Sequence, residues 1–355
     1  MNTKQEIVDA FDGRSTGELP PPAVFTQTGT VGQMCACGAG WPEAHYDPEK
    51  MATLALQFSK MFGFATARVP YCLTVEIERL GATIKEGSRD TQPSVIGTPY
   101  SSGDVAEPPS GGLMDPDEFA SGGRCAMVAE VAERMSREHE DLFITAGMQD
   151  PMALTSQLLG AENMLMTGFM EPGRISKWID AVTPLTCAYA ERLSEAADNV
   201  LVIAGGSTDM YSPEMLEEFS VPFTPRAISS IRSSFSTIHS CGDTLAFAGR
   251  LAGYGADALS LETFHCPEEY MRIVNGRCRM FGSIDPVGTL LMKRPEDVVE
   301  SARRGAELGF DIITPECGVP PLTPDANLMA LSHYRDRSKN PSSVAGEGHS
   351  RYSRK

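Results

Sequence analysis

Three residues of the 355-residue chain have the side chains and the spacing that a zinc site requires. His239 and Cys241 lie two residues apart, where a run containing β-branched residues gives way to Gly242. In an extended strand, side chains at positions i and i+2 point to the same side, so an imidazole nitrogen and a thiol can face one point. A second apolar strand far downstream also ends at a cysteine followed by glycine, Cys317-Gly318. Catalytic zinc sites use three such ligands and leave the fourth position open, so a fold that joins these two strand ends would complete one.

The elements that must position these residues form a regular alternation of strand and helix patterns. Strands separated by helical segments indicate parallel pairing, and eight such units predict a closed (β/α)₈ TIM barrel. An open doubly wound sheet is the alternative, but the first predicted turn lacks a G-x-G-x-x-G pattern. Barrel enzymes carry their chemistry at the C-terminal strand ends, where the fifth and eighth strands place the three residues above. The eight strands are predicted at Ala23–Gln27, Ala65–Tyr71, Leu142–Gly147, Val200–Gly205, Ser236–Cys241, Ala258–Glu262, Arg279–Asp285 and Asp311–Pro315.

The chain outside these units divides into a few segments. Residues 1–20 are predicted as a short helix and its lead-in, and residues 21–338 as one barrel domain. The Gly-, Pro- and Ser-rich stretch 97–116 is typical of a mobile flap. Residues 339–355 are expected to form a disordered basic tail.

Composition excludes several classes of protein. The formal charge of −17 opposes binding to the phosphates of nucleic acid. No apolar run reaches the roughly 18 residues that a membrane span needs, and the first residues do not have the pattern of a signal peptide. Nine scattered cysteines fit a reducing compartment, where free thiols and metal thiolates persist. We therefore expect a soluble, cytoplasmic protein that binds neither membranes nor nucleic acid.

Several motifs together resemble those of one enzyme family. Between about Pro21 and His333 the chain is similar to the methylcobamide:coenzyme M methyltransferases of the uroporphyrinogen decarboxylase superfamily. The matching segments are His239-x-Cys241-Gly242, Cys317-Gly318-Val319-Pro320-Pro321-Leu322-Thr323-Pro324, Trp41-Pro42-Glu43-Ala44-His45, Arg68-Val69-Pro70, Gln92-Pro93-Ser94-Val95 and Gly282-Ser283-Ile284-Asp285-Pro286.

The resemblance implies a uroporphyrinogen decarboxylase-like barrel that transfers a methyl group. In this reading His239, Cys241 and Cys317 bind zinc, and the thiol of coenzyme M takes the open position. A separate small corrinoid protein would present the methylcobamide. Zinc ligation suits this chemistry because it deprotonates a thiol well below its free pKa, which is about 8.5.

The chain departs from the family pattern at two places. The fourth predicted strand is followed by Gly205-Gly206 rather than by an acidic residue and proline, so Asp209 is the candidate to replace that acid. Glu316 stands where family members often have glycine, and it would either tune the metal's charge or face solvent. The decarboxylase branch carries arginines in its first strand to bind porphyrin carboxylates. Residues 24–30 contain none, so porphyrin decarboxylation is disfavoured.

Two carboxylates at strand ends are candidates for the catalytic machinery. Glu262 and Asp285 end the sixth and seventh predicted strands and should line the mouth of the barrel. There they could orient His239 through its second ring nitrogen, as outer carboxylates do at many metal sites. The alternative is that each caps the helix that follows its strand.

Three further residues are candidates for substrate binding. Arg68 ends the second predicted strand, and its guanidinium could hold a sulfonate or a phosphate, or form a structural ion pair. Trp41 and His45 lie in the long loop 28–46 and could pack against the corrin or the substrate, or only anchor their own loop.

Two other groups of Cys and His are weaker metal candidates. Cys35 and Cys37 lie in a loop without an obvious partner, so packing is the simpler interpretation. His265 and Cys266 are adjacent, and adjacent side chains in a strand point to opposite faces.

The leading hypothesis is a zinc-dependent methyltransferase that moves a methyl group from a corrinoid protein to coenzyme M. One alternative is the same chemistry with another acceptor, such as homocysteine or a folate. A second alternative is a corrinoid-binding barrel without turnover, which an intact zinc triplet disfavours. The methyl donor upstream of the corrinoid protein and the oligomeric state do not follow from the sequence.

Overall fold

A computed structural model describes residues 2–15, 17–263 and 265–336. The predicted tail, 339–355, lies outside these ranges. The strands are β1 Thr66–Val69, β2 Thr83–Lys85, β3 Ser94–Gly97, β4 Phe143–Gln149, β5 Asn199–Ile203, β6 Phe235–Ser240, β7 Ala258–Leu261, β8 Arg279–Ile284 and β9 Ile312–Pro315. A 3₁₀ helix covers Glu43–His45 and a π-helix covers Pro286–Leu291. The α-helices are α1 Lys4–Phe11, α2 Val31–Cys37, α3 Pro48–Ala55, α4 Gln57–Phe62, α5 Val75–Arg79, α6 Pro116–Ser121, α7 Gly123–Glu138, α8 Pro151–Leu159, α9 Ala161–Met170, α10 Pro172–Ala196, α11 Pro213–Phe219, α12 Thr224–Ser229, α13 Ala248–Leu251, α14 Pro267–Val274, α15 Pro295–Leu308 and α16 Asp325–Ser332.

Seven strands form one parallel sheet in the order β1-β4-β5-β6-β7-β8-β9. Most of their residues are buried, as expected where helices cover a parallel sheet. The segment 21–27 lies between the two outer strands. The backbone N–H of Ala23 donates to the Ile313 carbonyl of β9 at 3.0 Å, and the N–H of Val24 donates to the Thr66 hydroxyl of β1 at 3.2 Å. This segment closes the ring, so the predicted (β/α)₈ barrel is confirmed.

The first predicted strand, Ala23–Gln27, differs from the prediction because it is not a regular strand. It makes a single parallel bridge, between Pro22 and Ile313. The prolines that precede it have no N–H to donate to a neighbouring strand. On the side that faces β1, the Val24 N–H donates to the side chain of Thr66 instead of to a backbone carbonyl. The side-chain hydrogen bond replaces the ladder at the seam of the barrel.

The helical segment between β3 and β4 is interrupted. It consists of two helices, α6 and α7, which meet at Gly122 and Gly123. Gly123 has a φ of 55°, a left-handed conformation that suits glycine and interrupts a continuous helix. The predicted loop 28–46 likewise contains α2 and the 3₁₀ helix.

Helix α1 closes the N-terminal end of the barrel with an aromatic cluster. The ring of Phe11 lies 4.5 Å from that of Phe235, 4.8 Å from Phe281 and 5.4 Å from Phe143, measured between centroids. Phe25 adds a fourth ring at 6.1 Å. The barrel is therefore packed at this end, and a substrate must enter from the other.

The stretch predicted as a flap is attached to the helices behind it. The Trp178 indole of α10 donates to the Ala106 carbonyl at 2.8 Å, and Arg174 donates to the Val105 carbonyl at 2.8 Å. Mobility of residues 97–116 stays a prediction. None of the helices in the described ranges has the length and apolar character needed to cross a membrane.

Candidate metal centre and thiol site

Strand β6 places His239 in the buried wall of the barrel and Cys241 just beyond its end. The Nδ1 atom of His239 lies 3.1 Å from both the carbonyl oxygen and the hydroxyl of Ser260, its register partner on β7. A carbonyl can only accept, so we assign the ring proton to Nδ1. This leaves a lone pair on Nε2, which lies 3.1 Å from the Cys241 Sγ. The ring is oriented as a metal ligand requires.

Cys317 completes the group from the end of β9. Its Sγ lies 3.1 Å from the Cys241 Sγ, and its carbonyl accepts a hydrogen bond from the Thr26 hydroxyl at 2.7 Å. The ligand atoms of His239, Cys241 and Cys317 all lie within 4.8 Å of one another. Around zinc, a tetrahedron of such ligands has edges of about 3.5–3.8 Å. The structure thus brings the three predicted residues together, and the donor set and spacing fit a zinc ion after a small expansion.

The Cys317 thiol is poorly suited to ionise by itself. Its hydrogen bond with Cys241 and its burial both raise its pKa above the usual range for a thiol. A cation between the two sulfur atoms would act in the opposite direction, because metal coordination deprotonates a thiol. The pair is therefore arranged for a metal ion more than for two free thiolates.

Two of the predicted catalytic carboxylates hold the backbone that follows Cys241. Glu262 accepts a hydrogen bond from the Gly242 N–H at 2.7 Å, and Asp209 accepts one from the Asp243 N–H at 2.7 Å. Gly242 has a φ of 74°, and a Cβ added there would lie 2.4 Å from the Asp209 carboxylate. Both carboxylates lie beside the metal-site cysteine, and their catalytic role stays a prediction.

The proposed orientation of His239 by Glu262 or Asp285 is wrong, because Ser260 occupies that nitrogen. Asp285 instead caps the π-helix, accepting hydrogen bonds from the N–H groups of Val287 and Gly288 at 3.0 and 2.9 Å. The capping alternative therefore describes what its carboxylate contacts.

Arg68 is an almost fully buried cation, 1% exposed, next to the C-terminal residue of β1. Its Nη1 donates to the Pro70 carbonyl at 2.6 Å, but Nε and Nη2 have no partner among the described residues. Burial lowers its pKa to about 10, while negative charge on neighbours that include Cys317 acts in the opposite direction. Gly147 makes room for the head group, since a Cβ there would lie 2.0 Å from Nη2. Within the described ranges no ion pair satisfies the guanidinium, so the structural alternative is not supported there.

Trp41 and His45 are both buried, and their rings lie 4.9 Å apart. They pack near the ring of Tyr71, 6.1 and 5.9 Å away, which anchors their loop to the barrel. Burial, and then the charge of Arg124, lower the pKa of His45 to about 3, so it is neutral near pH 7. The Trp41 Nε1 and both nitrogens of His45 have no hydrogen-bond partner among the described residues. Buried donors without partners are uncommon in native proteins and need an explanation such as a ligand.

Ser260 is a functional residue that the sequence reasoning missed. Register was the available signal, because His239 and Ser260 are paired on neighbouring strands. Within the described part of the chain, the search for three or more close His, Cys, Asp or Glu ligands finds His239, Cys241 and Cys317 alone. Cys35 contacts the Arg89 guanidinium instead of a second thiol. The rival groups at Cys35 and at Cys266 therefore do not form a metal site there.

Comparison with known proteins agrees with this geometry. The family model of uroporphyrinogen decarboxylase (URO-D) matches residues 2–338. The chain belongs to the uroporphyrinogen decarboxylase family. Within this family it is 32% identical over 338 residues to the methylcobamide:CoM methyltransferase MtaA of Methanosarcina barkeri, covering 94% of this chain and 97% of that one. It is 30% identical to the methylcobamide:CoM methyltransferase MtbA of Methanosarcina acetivorans, covering 88% and 91%.

A solved family structure has the same overall fold. This methyltransferase from Methanosarcina mazei superposes with a TM-score of 0.86 at 30% sequence identity, over 95% of this chain and 99% of that one. The family member described here therefore shares its fold and about a third of its sequence with methyltransferases.

Proposed function

We propose that this protein transfers a methyl group from a methylated corrinoid to the thiol of coenzyme M. The observation that carries the proposal is the cluster of His239, Cys241 and Cys317, whose ligand atoms lie within 4.8 Å of one another. The relatives named above act on methylcobamide and coenzyme M by their names. With nine free cysteines, the enzyme is expected to work in the reducing cytoplasm.

The three clustered residues would hold a zinc ion and leave one position for the acceptor. When bound, zinc supplies the positive charge that makes the acceptor thiol a thiolate near neutral pH. Ser260 keeps the His239 ring turned so that its Nε2 lone pair faces the site. Glu262 and Asp209 keep the backbone after Cys241 in place. Their role would thus be to position a ligand, with no proton transfer required of them.

The acceptor would be a small thiol that carries an anionic group. Two guanidinium nitrogens of the buried Arg68, Nε and Nη2, have no partner among the described residues, and a guanidinium matches the oxygens of a sulfonate or carboxylate. The Trp41 N–H likewise has no partner in the described part of the chain, and its ring is fixed against His45. Coenzyme M has a thiol and a sulfonate separated by two carbons. The unpartnered donors therefore favour it over an uncharged thiol.

The donor would be a methylcobamide on a separate small corrinoid protein, entering at the C-terminal end of the barrel. The acceptor thiolate attacks the methyl carbon in line with the cobalt–carbon bond. The new S–C bond forms as the Co–C bond breaks, its electron pair stays on cobalt, and cobalt passes from the +3 to the +1 state. The thiol proton has already left to solvent. The residues named above act by holding the reacting sulfur in place, which reduces the entropic part of the barrier.

The test measures zinc per chain and methyl transfer from methylcobalamin to coenzyme M in the same samples. The variants are Cys241→Ala and Cys317→Ala, with Cys278→Ala as a matched control because Cys278 precedes β8 at the opposite end of the barrel. We expect one zinc ion and activity in the wild type and in Cys278→Ala, and loss of both in the other two.

Two other outcomes would change the conclusion. Bound zinc without methylation of coenzyme M would keep the metal site and redirect the search to homocysteine or another thiol. A wild-type protein that binds no zinc when zinc is supplied would contradict the proposed site and its chemistry.

A further inference from the structure

A buried carboxylate, Glu316, directly precedes the metal-site cysteine Cys317. It is 0% exposed, so of its two predicted alternatives the one that faces solvent is wrong. One oxygen accepts from the Thr263 N–H at 2.8 Å, and the other accepts from the Thr263 hydroxyl at 2.5 Å and from the Ser283 N–H at 3.0 Å. A single side chain from the end of β9 therefore holds the ends of β7 and β8.

The backbone around Glu316 is shaped to accommodate it. Ser283 has a φ of 86°, a strained conformation for a non-glycine residue that persists only where the surroundings enforce it. The Ser283 hydroxyl donates to the Ser301 carbonyl at 3.0 Å, which holds the residue from its other side. A Cβ added at Gly282 would lie 3.2 Å from the Glu316 Cγ. The end of β8 is thus adapted to a carboxylate at this position.

The pattern of donors requires a group that only accepts hydrogen bonds. Both oxygens of Glu316 face a backbone N–H, one from Thr263 and one from Ser283. A glutamine would place its NH₂ group against one of these N–H groups in either orientation of the amide. Because an unsatisfied or opposed buried donor is costly, glutamine is a poor replacement at this position.

We propose that Glu316 is a positioning residue for the metal centre, because its carboxylate fixes Cys317 relative to the strand that orients His239. Thr263 follows β7, the strand that carries Ser260, and Ser260 holds the His239 ring. Glu262, on the same segment, binds the Gly242 N–H beside Cys241. One carboxylate thereby links the side of the site that bears Cys317 to the side that bears the other two ligands. This inference rests on the proposed metal site.

The test compares Glu316→Gln with Asp311→Ala as a matched control. Asp311 lies at the opposite end of the same strand pair, where its carboxylate accepts from the Met280 N–H of β8 at 2.9 Å. The measurements are the melting temperature, the affinity for zinc in a competition with a chromophoric chelator, and the visible spectrum after replacement of zinc by Co²⁺. Outer-shell substitutions at metal sites typically cost 10- to 100-fold in affinity. We expect that loss and an altered Co²⁺ spectrum in Glu316→Gln, and a lower melting temperature alone in Asp311→Ala.

A second variant covers the case in which Glu316→Gln does not fold. Thr263→Val removes only the hydroxyl that donates to Glu316 at 2.5 Å and keeps the side-chain shape. We expect a smaller loss of zinc affinity, about 3- to 10-fold, because the variant removes one hydrogen bond to the carboxylate and keeps the two from backbone N–H groups. Wild-type affinity and spectrum in both variants, or an equal loss in Asp311→Ala, would overturn the proposal. If the wild type binds no zinc, the proposed function itself fails, which is a separate result.

Discussion

The two ends of the barrel are built from opposite kinds of side chain. At the N-terminal end, Phe11 lies among the rings of Phe235, Phe281 and Phe143, with centroids 4.5–5.4 Å apart. At the C-terminal end, two guanidinium nitrogens of the buried Arg68 have no partner among the residues that the structure describes. The first arrangement gains stability from packed apolar area, whereas the second costs stability unless a ligand binds.

This difference indicates that the barrel separates stability from function along its axis. Aromatic packing closes one end. The other end gathers a His/Cys/Cys group and donors that have no partner among the described residues. Ser260 there accepts a hydrogen bond from His239, and Glu262 accepts one from the Gly242 N–H. Substitutions at the two ends should therefore change different measured quantities.

The largest effect on stability is expected from Phe11→Ala. Removing a ring that contacts four others should lower the free energy of unfolding by about 3–5 kcal/mol, because a cavity replaces packed aromatic area. Phe169→Ala is the control, since that ring is 85% exposed and its loss should change the free energy by less than about 0.5 kcal/mol. Chemical denaturation measures both. Loss of zinc from folded Phe11→Ala protein would contradict the separation of the two ends.

Arg68→Met should produce the next largest effect, in substrate binding. We expect the KM for coenzyme M to rise by about 30- to 150-fold, equivalent to about 2–3 kcal/mol, because the charged hydrogen bonds to the sulfonate are lost. The KM for 2-mercaptoethanol, an uncharged thiol of similar length, should stay near its wild-type value and serves as the control. Thermal stability should not fall, since the variant removes a buried charge whose Nε and Nη2 are unpartnered. An equal rise in KM for both thiols would remove Arg68 from the acceptor site.

Gly242→Ala tests the backbone that carries Cys241. Gly38→Ala is a matched control, because Gly38 has nearly the same φ, 73° against 74°, and open space where a Cβ would stand. Both variants should lower the free energy of unfolding by about 1–2 kcal/mol, because alanine is strained in a left-handed conformation. Gly242→Ala must also displace Asp209, whose carboxylate is 2.4 Å from the added atom. We expect lower zinc affinity in Gly242→Ala alone, measured by chelator competition, and equal affinities would show that this turn does not position Cys241.

The sequence allowed the fold and the grouping of three residues at one rim to be predicted, because both follow from periodicity. Side chains two residues apart on a strand share a face, which pairs His239 with Cys241, and parallel barrel strands bring their C-terminal ends to one rim. The predicted barrel was therefore enough to place Cys317 beside His239 and Cys241, and no information on side-chain packing was needed. The prediction of a regular strand at Ala23–Gln27 was wrong. The Val24 N–H donates to the side chain of Thr66, and no periodic pattern in the sequence encodes such a contact.

The side chains that hold the clustered His and Cys residues in place could not be predicted, for a related reason. Ser260 holds His239 because the two residues are in register on adjacent strands, and a shift of one residue would have turned that side chain to the other face. Glu316 reaches Thr263 and Ser283 only because the C-terminal ends of β7, β8 and β9 lie side by side at the rim. Strand positions can be predicted to within a few residues, which is too coarse to choose between a carboxylate that orients a ligand and one that caps a helix.

Asp285 is the residue for which that choice can be tested most directly, with the smallest expected effect. Asparagine and aspartate cap helices about equally well, whereas alanine loses about 1 kcal/mol of stability. If the carboxylate only accepts from Val287 and Gly288, Asp285→Asn should keep wild-type stability and wild-type methyl transfer, and Asp285→Ala should lose stability alone. If the negative charge takes part in proton transfer, Asp285→Asn should lose about 100-fold or more in kcat while keeping its melting temperature. Because the hydrogen bonds of the Asp285 carboxylate to described residues come from N–H groups of its own helix, we expect the first result, and the second would restore Asp285 to the catalytic set.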